Sequence, residues 1–407
     1  MTLATRALFT GAVPDVPPRQ TIVTLTTAPH GGWTTPQYPK AMYADGATYA
    51  AYVNGTTGGL YVLRYAHATK LTTTALLDTP TPADTHNNPA VLVRDDGRIL
   101  VLFCEHDGDN LFTILSTNAG DISAWGAAAN TGLSATSGFT YPGLVQLTGV
   151  TGSPIWLVIR DKSASTTGRL RVAKSTDGGA TWGSSAIVMA PGSGLIPYWG
   201  LAHDTTKLQV MMTDRDAYGS QGTPKVGHMY FDGETETWHQ SDGTEITATK
   251  PFAHTELTQV YEGPAFVMDG LIVEGLPRFA INRDIGSSQV TGSLYRWSGS
   301  AWASSDVYTA DHHPVDRYYG SLVMNRADPE EVFAGIKVGS FSELYRYRSS
   351  DDGATWGAGV AVTDNPDELD TSPIGVIDGV AALPVLWLRG SLVSSLDFHF
   401  GIMGLRR

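Results

Sequence analysis

The sequence is poor in cysteine, in charge and in long apolar runs. Cys104 is alone among 407 residues, which excludes an intrachain disulfide and a cysteine-rich zinc centre. Charged residues make up 16 %, against about 25 % in an average soluble protein. The 27 Lys and Arg are outnumbered by 40 Asp and Glu, a net charge of −13. A general nucleic-acid binder carries a basic footprint, so no nucleic-acid partner is expected. No run approaches the ~18 apolar residues of a membrane-spanning helix, so no membrane insertion is expected either. The opening MTLATRALFTGAVPDVPPRQ holds only a short apolar patch broken by Gly11 and Pro14, a poor secretory signal. The expected location is extracellular or on a phage virion, with the cytoplasm as the remaining option.

What is abundant is glycine (45), proline (22) and apolar residues (42 %), enough to build a core in a chain of this length. Two segments are near copies, Ser175–Trp182 (STDGGATW) and Ser349–Trp356 (SSDDGATW), 174 residues apart. Weaker cousins, each closed by a tryptophan, give the series Trp125, Trp182, Trp238, Trp302 and Trp356, with steps of 57, 56, 64 and 54. Each follows a short apolar or aromatic run, so the pattern reads as strand, tight turn, strand. Asp and Gly supply the side-chain-to-backbone bonds and positive φ that such turns need. The box is a structural staple.

A second repeat runs in phase with the first. Units open at Tyr38, His86, Tyr141, Tyr198, Tyr261, Tyr319 and Thr371, and their second apolar strands end at Asn54, His106, Arg160, Arg215, Arg283, Lys337 and Arg389. Short strands at regular spacing with turn residues between them indicate an all-β fold. About four strands per unit and seven units predict a seven-bladed β-propeller, with six or eight blades as the margin. Residues 36–407 form this single domain, and residues 1–35 form an extension in which TIVTLTT (21–27) is suited to close the last blade.

In such a blade the start of the first strand and the end of the second lie on one face. The two series therefore meet there as a basic, aromatic funnel on an acidic protein. Any one of these residues, taken alone, reads as packing or as an ordinary ion pair. Taken together, several cations on one face are costly without an anion. Arginine forks suit carboxylate, sulfate or phosphate, and aromatic rings suit sugar faces. There is no phosphate-binding glycine loop, no H-E-x-x-H and no nucleophile elbow. A charged polysaccharide is the best match.

The Asp boxes resemble the bacterial neuraminidase repeat, which marks fold more than function. A narrower resemblance joins Asp84–Gly97 (DTHNNPAVLVRDDG), His106, Thr140-Tyr141-Pro142 with Arg160, Val226-Gly-His228-Met-Tyr230 and Val385–Gly390. These are similar to the BNR-repeat family that includes ulvan lyases and related propeller polysaccharide lyases. The resemblance implies cleavage of a uronate-containing polysaccharide by β-elimination. It implies catalytic His86, with His106, Tyr141 and a carboxylate-binding Arg160. It makes His228 and Tyr230 looser matches for substrate binding, beside Tyr198, Arg215, Arg283, Tyr319, Lys337 and Arg389 from the funnel. Thr371 stands where relatives tend to carry a basic residue, and the cluster with which some bind structural zinc is missing.

The chemistry agrees with the residues. The C5 proton of a uronate is acidic only when the adjacent carboxylate is neutralised, which an arginine fork at Arg160 does. A base for C5 and an acid for the leaving oxygen are also required. His86 and Tyr141 suit these jobs, in an order the sequence leaves open. No metal cofactor is required, while a structural calcium or zinc ion stays open. Two rival readings remain. A glycoside hydrolase, sialidase-like or other, needs facing carboxylates, and Asp84, Glu105 and Asp107 form no persuasive pair. A non-catalytic carbohydrate-binding or tail receptor-binding propeller is the other.

Overall fold

The computed structural model describes residues 20–34, 38–78, 83–87, 89–164, 167–192, 194–216, 225–285, 288–311 and 322–407. Seven antiparallel sheets follow one another along the chain and form the blades of a ring. Their innermost strands are Ala41–Ala44, Ala90–Val93, Phe139–Gln146, Leu195–His203, Ala265–Val273, Leu322–Met324 and Leu369–Gly375. The molecule is thus a seven-bladed propeller, as the repeat spacing predicts. Blade 4 carries a fifth strand, Thr258–Glu262, paired with Lys225–Asp232. Tyr261 belongs to that strand, so blade 5 begins only at Ala265. The outer strand of blade 7 is Thr21–Thr24, paired with Asp397–Arg406.

The strands form where β-branched and aromatic residues run unbroken. Blade 2's second strand, Ile99–Phe103 (ILVLF), is buried along its whole length, because its sheet is covered by neighbouring blades on both sides. Tryptophans, tyrosines and phenylalanines fill the wedges between blades, among them Trp156 against Phe231 at 4.4 Å between ring centroids.

The two Asp boxes share a core hydrogen-bond network. Asp177 Oδ1 accepts from Ser175 Oγ (2.8 Å) and Thr181 N (2.9 Å), and Gly179 N donates to Ser175 Oγ (2.8 Å). In the second box Asp351, Ser349, Thr355 and Gly353 repeat these bonds. Each box also seats on the preceding blade. A Cβ at Gly178, which has φ +73°, would meet Arg94 of blade 2 at 2.4 Å, and Asp352 pairs with Arg278 of blade 5 at 2.5 Å. Ser175 lies opposite Ile155, where the second strand of its blade begins. The boxes therefore occupy the face opposite the ends of the second strands, which fits a structural staple.

Candidate active site

The site is built first by the entry to blade 2. Thr85–Asn87 form one 3-10 turn, and Asp84, just before it, is buried (4 % exposed). Its Oδ1 accepts the backbone N–H of His86 (2.9 Å) and the ring Nδ1–H of the same residue (2.6 Å). Its Oδ2 accepts Nδ1–H from His106 at 3.1 Å. The two imidazoles are stacked, their centroids 4.2 Å apart and their planes 12° from parallel. Asn87 holds the second ring's backbone, its Oδ1 accepting from His106 N at 2.6 Å. Burial works against the Asp84 charge, but the bonds from His106 and His86 outweigh it and hold the carboxyl below its usual range. Burial lowers the pKa of His86, opposed by Asp84 and reinforced by His106 and Arg160. His86 is therefore neutral near pH 7, with its proton on Nδ1 and a lone pair on Nε2.

Blade 3 supplies the rest. Tyr141 has φ +61°, a conformation uncommon for any residue but glycine and an outlier for a bulky one. It sits where the pairing of the first two strands breaks, between Thr140 and Gly143. The bulge turns its ring toward His86 (5.8 Å) and Tyr198 (5.9 Å). Thr140 lies across from Arg160, whose guanidinium stacks over Tyr141 at 4.5 Å and lies 5.6 Å from the Tyr198 ring centre. Arg160 is 2 % exposed. Burial opposes its charge, yet Tyr141, Tyr198 and Asp107 together raise its pKa.

Sequence reasoning missed the surroundings of that arginine. Asp107 lies 3.6 Å from Arg160 Nη2 and 3.6 Å from His106 Nε2, and it is ion-paired to Lys162. Thr140 Oγ1 donates to Asp107 Oδ1 (2.9 Å) and accepts from its backbone N–H (3.0 Å). Burial would raise the Asp107 pKa, but the Lys162 bond and the neighbouring cations lower it overall. Lys162 was legible only as a polar residue two positions past Arg160, on the same side of the strand. Among the described residues, Asp84, His86 and His106 form the one compact group of potential metal ligands, with donor atoms within 4.8 Å of one another. Both imidazole Nδ1 atoms in that group are already committed to Asp84.

The structure therefore brings His86, His106, Tyr141, Arg160 and Tyr198 together, and it keeps most other funnel residues apart. Arg389 corrects the sequence register. Thr371 pairs with Leu388 as Thr140 pairs with Arg160, so Arg389 lies one residue further on. A one-residue shift puts a side chain on the other face of the sheet. Arg389 is held there by Asp370 through bonds of 2.7 and 2.8 Å. Arg283 is likewise spent within blade 5, paired to Asp306 and bonded to Ser293 Oγ at 3.0 Å. Lys337 faces Asp311 at 3.9 Å.

His228 also departs from expectation. It is 1 % exposed, donates or accepts at Ser241 Oγ (2.8 Å) and packs edge-on to Trp302 (4.9 Å). Burial pushes its pKa down to about 3. It is part of the wedge between blades 4 and 5, away from the His86–Arg160 cluster. Tyr230 stacks on His239 at 4.9 Å, with Lys207 Nζ 5.3 Å from its ring centre, at the outer strands of blade 4. Arg215 pairs in register with Ile196, but its side chain lies outside the described residues, as does the whole of Tyr319.

Solved structures with this architecture include an ulvan lyase bound to -[GlcA(1-4)Rha3S]-, 18 % identical, with a TM-score of 0.73 over 95 % of each chain. The polysaccharide lyase Uly1 is 14 % identical, with a TM-score of 0.64 over 96 % of this chain and 99 % of that one. These likenesses establish the fold. No curated protein sequence matches the chain. A family model does, across residues 47–265, from the second strand of blade 1 to the start of blade 5. The chain belongs to the BNR repeat-containing family.

Proposed function

We propose that the chain is a polysaccharide lyase that cleaves a uronate-containing polysaccharide by β-elimination at the His86–Tyr141–Arg160 cluster. The observation that carries this reading is the shared carboxylate. Asp84 takes the Nδ1–H of both parallel imidazoles, so His86 turns an unprotonated Nε2 away from it, near a buried guanidinium stacked on Tyr141. The solved ulvan lyase of like fold is bound to a glucuronate-containing fragment, which supports a uronate substrate.

In this reading the uronate carboxylate pairs with Arg160, which stabilises the charge that moves onto the carboxylate in the transition state. Nε2 of His86 takes the C5 proton. The electron pair left on C5 spreads into the carboxylate as an enediolate. It then forms the C4–C5 double bond as the C4–O bond breaks. The departing oxygen takes the proton of the Tyr141 hydroxyl. The products are an unsaturated uronate and a free hydroxyl on the leaving sugar, and solvent exchange returns His86 and Tyr141 to their starting states. Asp84 and His106 are positioning residues: the first fixes the His86 tautomer and the second braces its ring.

A glycosidase reading fits the same residues less well. It needs one carboxyl protonated as the general acid. Asp84 and Asp107 are both held ionised by hydrogen bonds and cations.

The test is ultraviolet absorbance on mixing the protein with ulvan, glucuronans and bacterial capsules. The expected result is a rise from the unsaturated uronate, abolished in His86→Ala, Tyr141→Phe and Arg160→Ala. New reducing ends without a rise would overturn the lyase reading in favour of a hydrolase. Binding with neither signal would make the chain a recognition protein.

A further inference from the structure

Arg160 has a carboxylate within reach and does not close on it. Asp107 Oδ1 stops 3.6 Å from Arg160 Nη2, beyond hydrogen-bond distance. Blade 7 holds the ordinary outcome: Asp370 takes Arg389 through two bonds, of 2.7 and 2.8 Å. Such a forked pair is what a guanidinium and a carboxylate form when no other cation competes.

At Asp107 another cation does compete. Its Oδ2 accepts directly from Lys162 Nζ. Its Oδ1 accepts from Thr140 Oγ1 at 2.9 Å, and its backbone N–H donates to the same hydroxyl at 3.0 Å, which fixes the direction of the carboxylate. A further neighbour, His106 Nε2, stands 3.6 Å from Oδ2. The side chains of Arg160 and Lys162 are only 3 % and 13 % exposed, so salt and water screen this contest weakly. Lys162 stands two residues beyond Arg160 in the strand Ile155–Ala164, on the same side of the sheet. Were Asp107 to take the Arg160 fork instead, a ligand carboxylate would have to displace an internal one.

We infer that Lys162 is a positioning residue for carboxylate recognition: by holding Asp107, it keeps Arg160 from being spent within the protein and leaves it to the uronate. The inference rests on the reading of Arg160 as the partner of the substrate carboxylate. It gives Lys162 no contact with substrate and no part in proton transfer.

The experiment compares Lys162→Met, Lys162→Arg and the double variant Lys162→Met/Asp107→Asn in the full chain. Lys162→Gln replaces Lys162→Met if the latter fails to fold. The first readout is a crystal structure of Lys162→Met without ligand. Asp107 is expected to close on Arg160 to hydrogen-bond distance, as Asp370 does on Arg389. A carboxylate that keeps its 3.6 Å separation, or turns to His106, would overturn the inference. The second readout is kcat/KM on a uronate polysaccharide that the parent cleaves, or Kd by calorimetry for one that it only binds. Lys162→Met should weaken either about tenfold or more, the scale of one charge-assisted contact. Lys162→Arg should keep the parent value, because a guanidinium at that place holds Asp107 as well. The double variant should regain it, because an amide has no charge with which to close on Arg160. A double variant as weak as Lys162→Met would also overturn the inference, since Lys162 would then touch the ligand itself. The two readings fail separately: a parent that binds uronate without cleaving it ends the lyase reading, while the position of Asp107 in Lys162→Met still decides the role of Lys162.

Discussion

Blades 3 and 7 bend their inner strands in the same way and use the bend differently. Each carries Thr-x-Pro, at Thr140–Pro142 and Thr371–Pro373. The middle residue is left-handed in both, with φ 61° at Tyr141 and 48° at Ser372, and the strand pairing breaks just there. In blade 3 the bend presents Tyr141, with Arg160 across from the threonine. In blade 7 it presents Ser372, with Leu388 across. One position further on the two blades differ again: blade 3 pairs Phe139 with Asp161, and blade 7 pairs Asp370 with Arg389. Blade 7 thus keeps its arginine against a carboxylate of its own sheet. In blade 3 Asp161 turns instead to Arg171 and Arg169, and Arg160 is left on aromatic rings with Asp107 at 3.6 Å. The two arginines thus differ in what their own sheet sets across from them: a carboxylate for Arg389 and a threonine for Arg160.

The largest effects should separate the two bends by activity. If blade 3 carries the chemistry, Tyr141→Phe should lower kcat about 10²–10⁴-fold, the range for a lost general acid. Arg160→Lys should lower it about 10²–10³-fold, because an ammonium keeps the charge and loses the planar fork. The matching changes in blade 7, Ser372→Ala and Arg389→Lys, should leave kcat within about twofold of the parent, about 0.4 kcal/mol of barrier. Equal losses in both blades would break the contrast and spread the site around the ring.

Stability should show the reverse order. Asp370 is fully buried, and it holds Arg389 and the Trp387 indole N–H, the latter at 2.6 Å. Arg389→Ala strands that carboxylate and should cost about 3 kcal/mol, near the low end for a broken buried pair because the indole bond remains. A denaturant titration reads this as a lower midpoint at constant slope.

The acid side of the pH profile tests the neutral histidine beside Arg160. Burial lowers the His86 pKa, so the base stays unprotonated below the ordinary value of about 6.5. The kcat/KM limb should therefore fall only at a pH below that value. The same shift has a stability sign. As pH falls through about 6.5 the unfolded His86 takes up a proton and the folded one does not, so stability declines. Asp84, also lowered, adds a further loss below about pH 4, where the unfolded carboxylate is protonated. A limb centred above pH 7 would remove His86 as the base.

How much of this was legible depended on distance along the chain. The blade count and the Asp boxes could be read because Ser, Asp, Gly and Thr of each box bond within six residues of one another. His86, Tyr141 and Arg160 could be read because each belongs to a short local motif, the turn before Ala90–Val93 for the first and the paired strands Phe139–Gln146 and Ile155–Ala164 for the other two. The position of Arg389 could not: it depends on where the bulge of blade 7 falls, and one residue of slip reverses the face. Nor could the burial of His228, which is set by Trp302 and Phe279 of the next blade. The Asp107–Lys162 pair was hidden for the same reason, its two members lying 55 residues apart on neighbouring blades.

The smallest expected effect concerns what the bend itself costs. Ser372 is 2 % exposed, its hydroxyl is buried without a partner, and its carbonyl accepts from the Trp33 indole at 2.9 Å. Ser372→Gly keeps that carbonyl, removes the stranded hydroxyl and suits the left-handed backbone. The unfolded chain gains entropy from the added glycine, which works the other way. Relief of the left-handed strain, about 1–2 kcal/mol for an ordinary residue, and loss of an unsatisfied hydroxyl should outweigh it, for a net gain of about 1 kcal/mol in a urea titration. A loss instead would mean that the serine side chain is held by the bend and that blade 7 is not an idle copy of it. At Tyr141 the same backbone relief is open to glycine, but there the substitution would remove the ring that lies under Arg160 and beside His86.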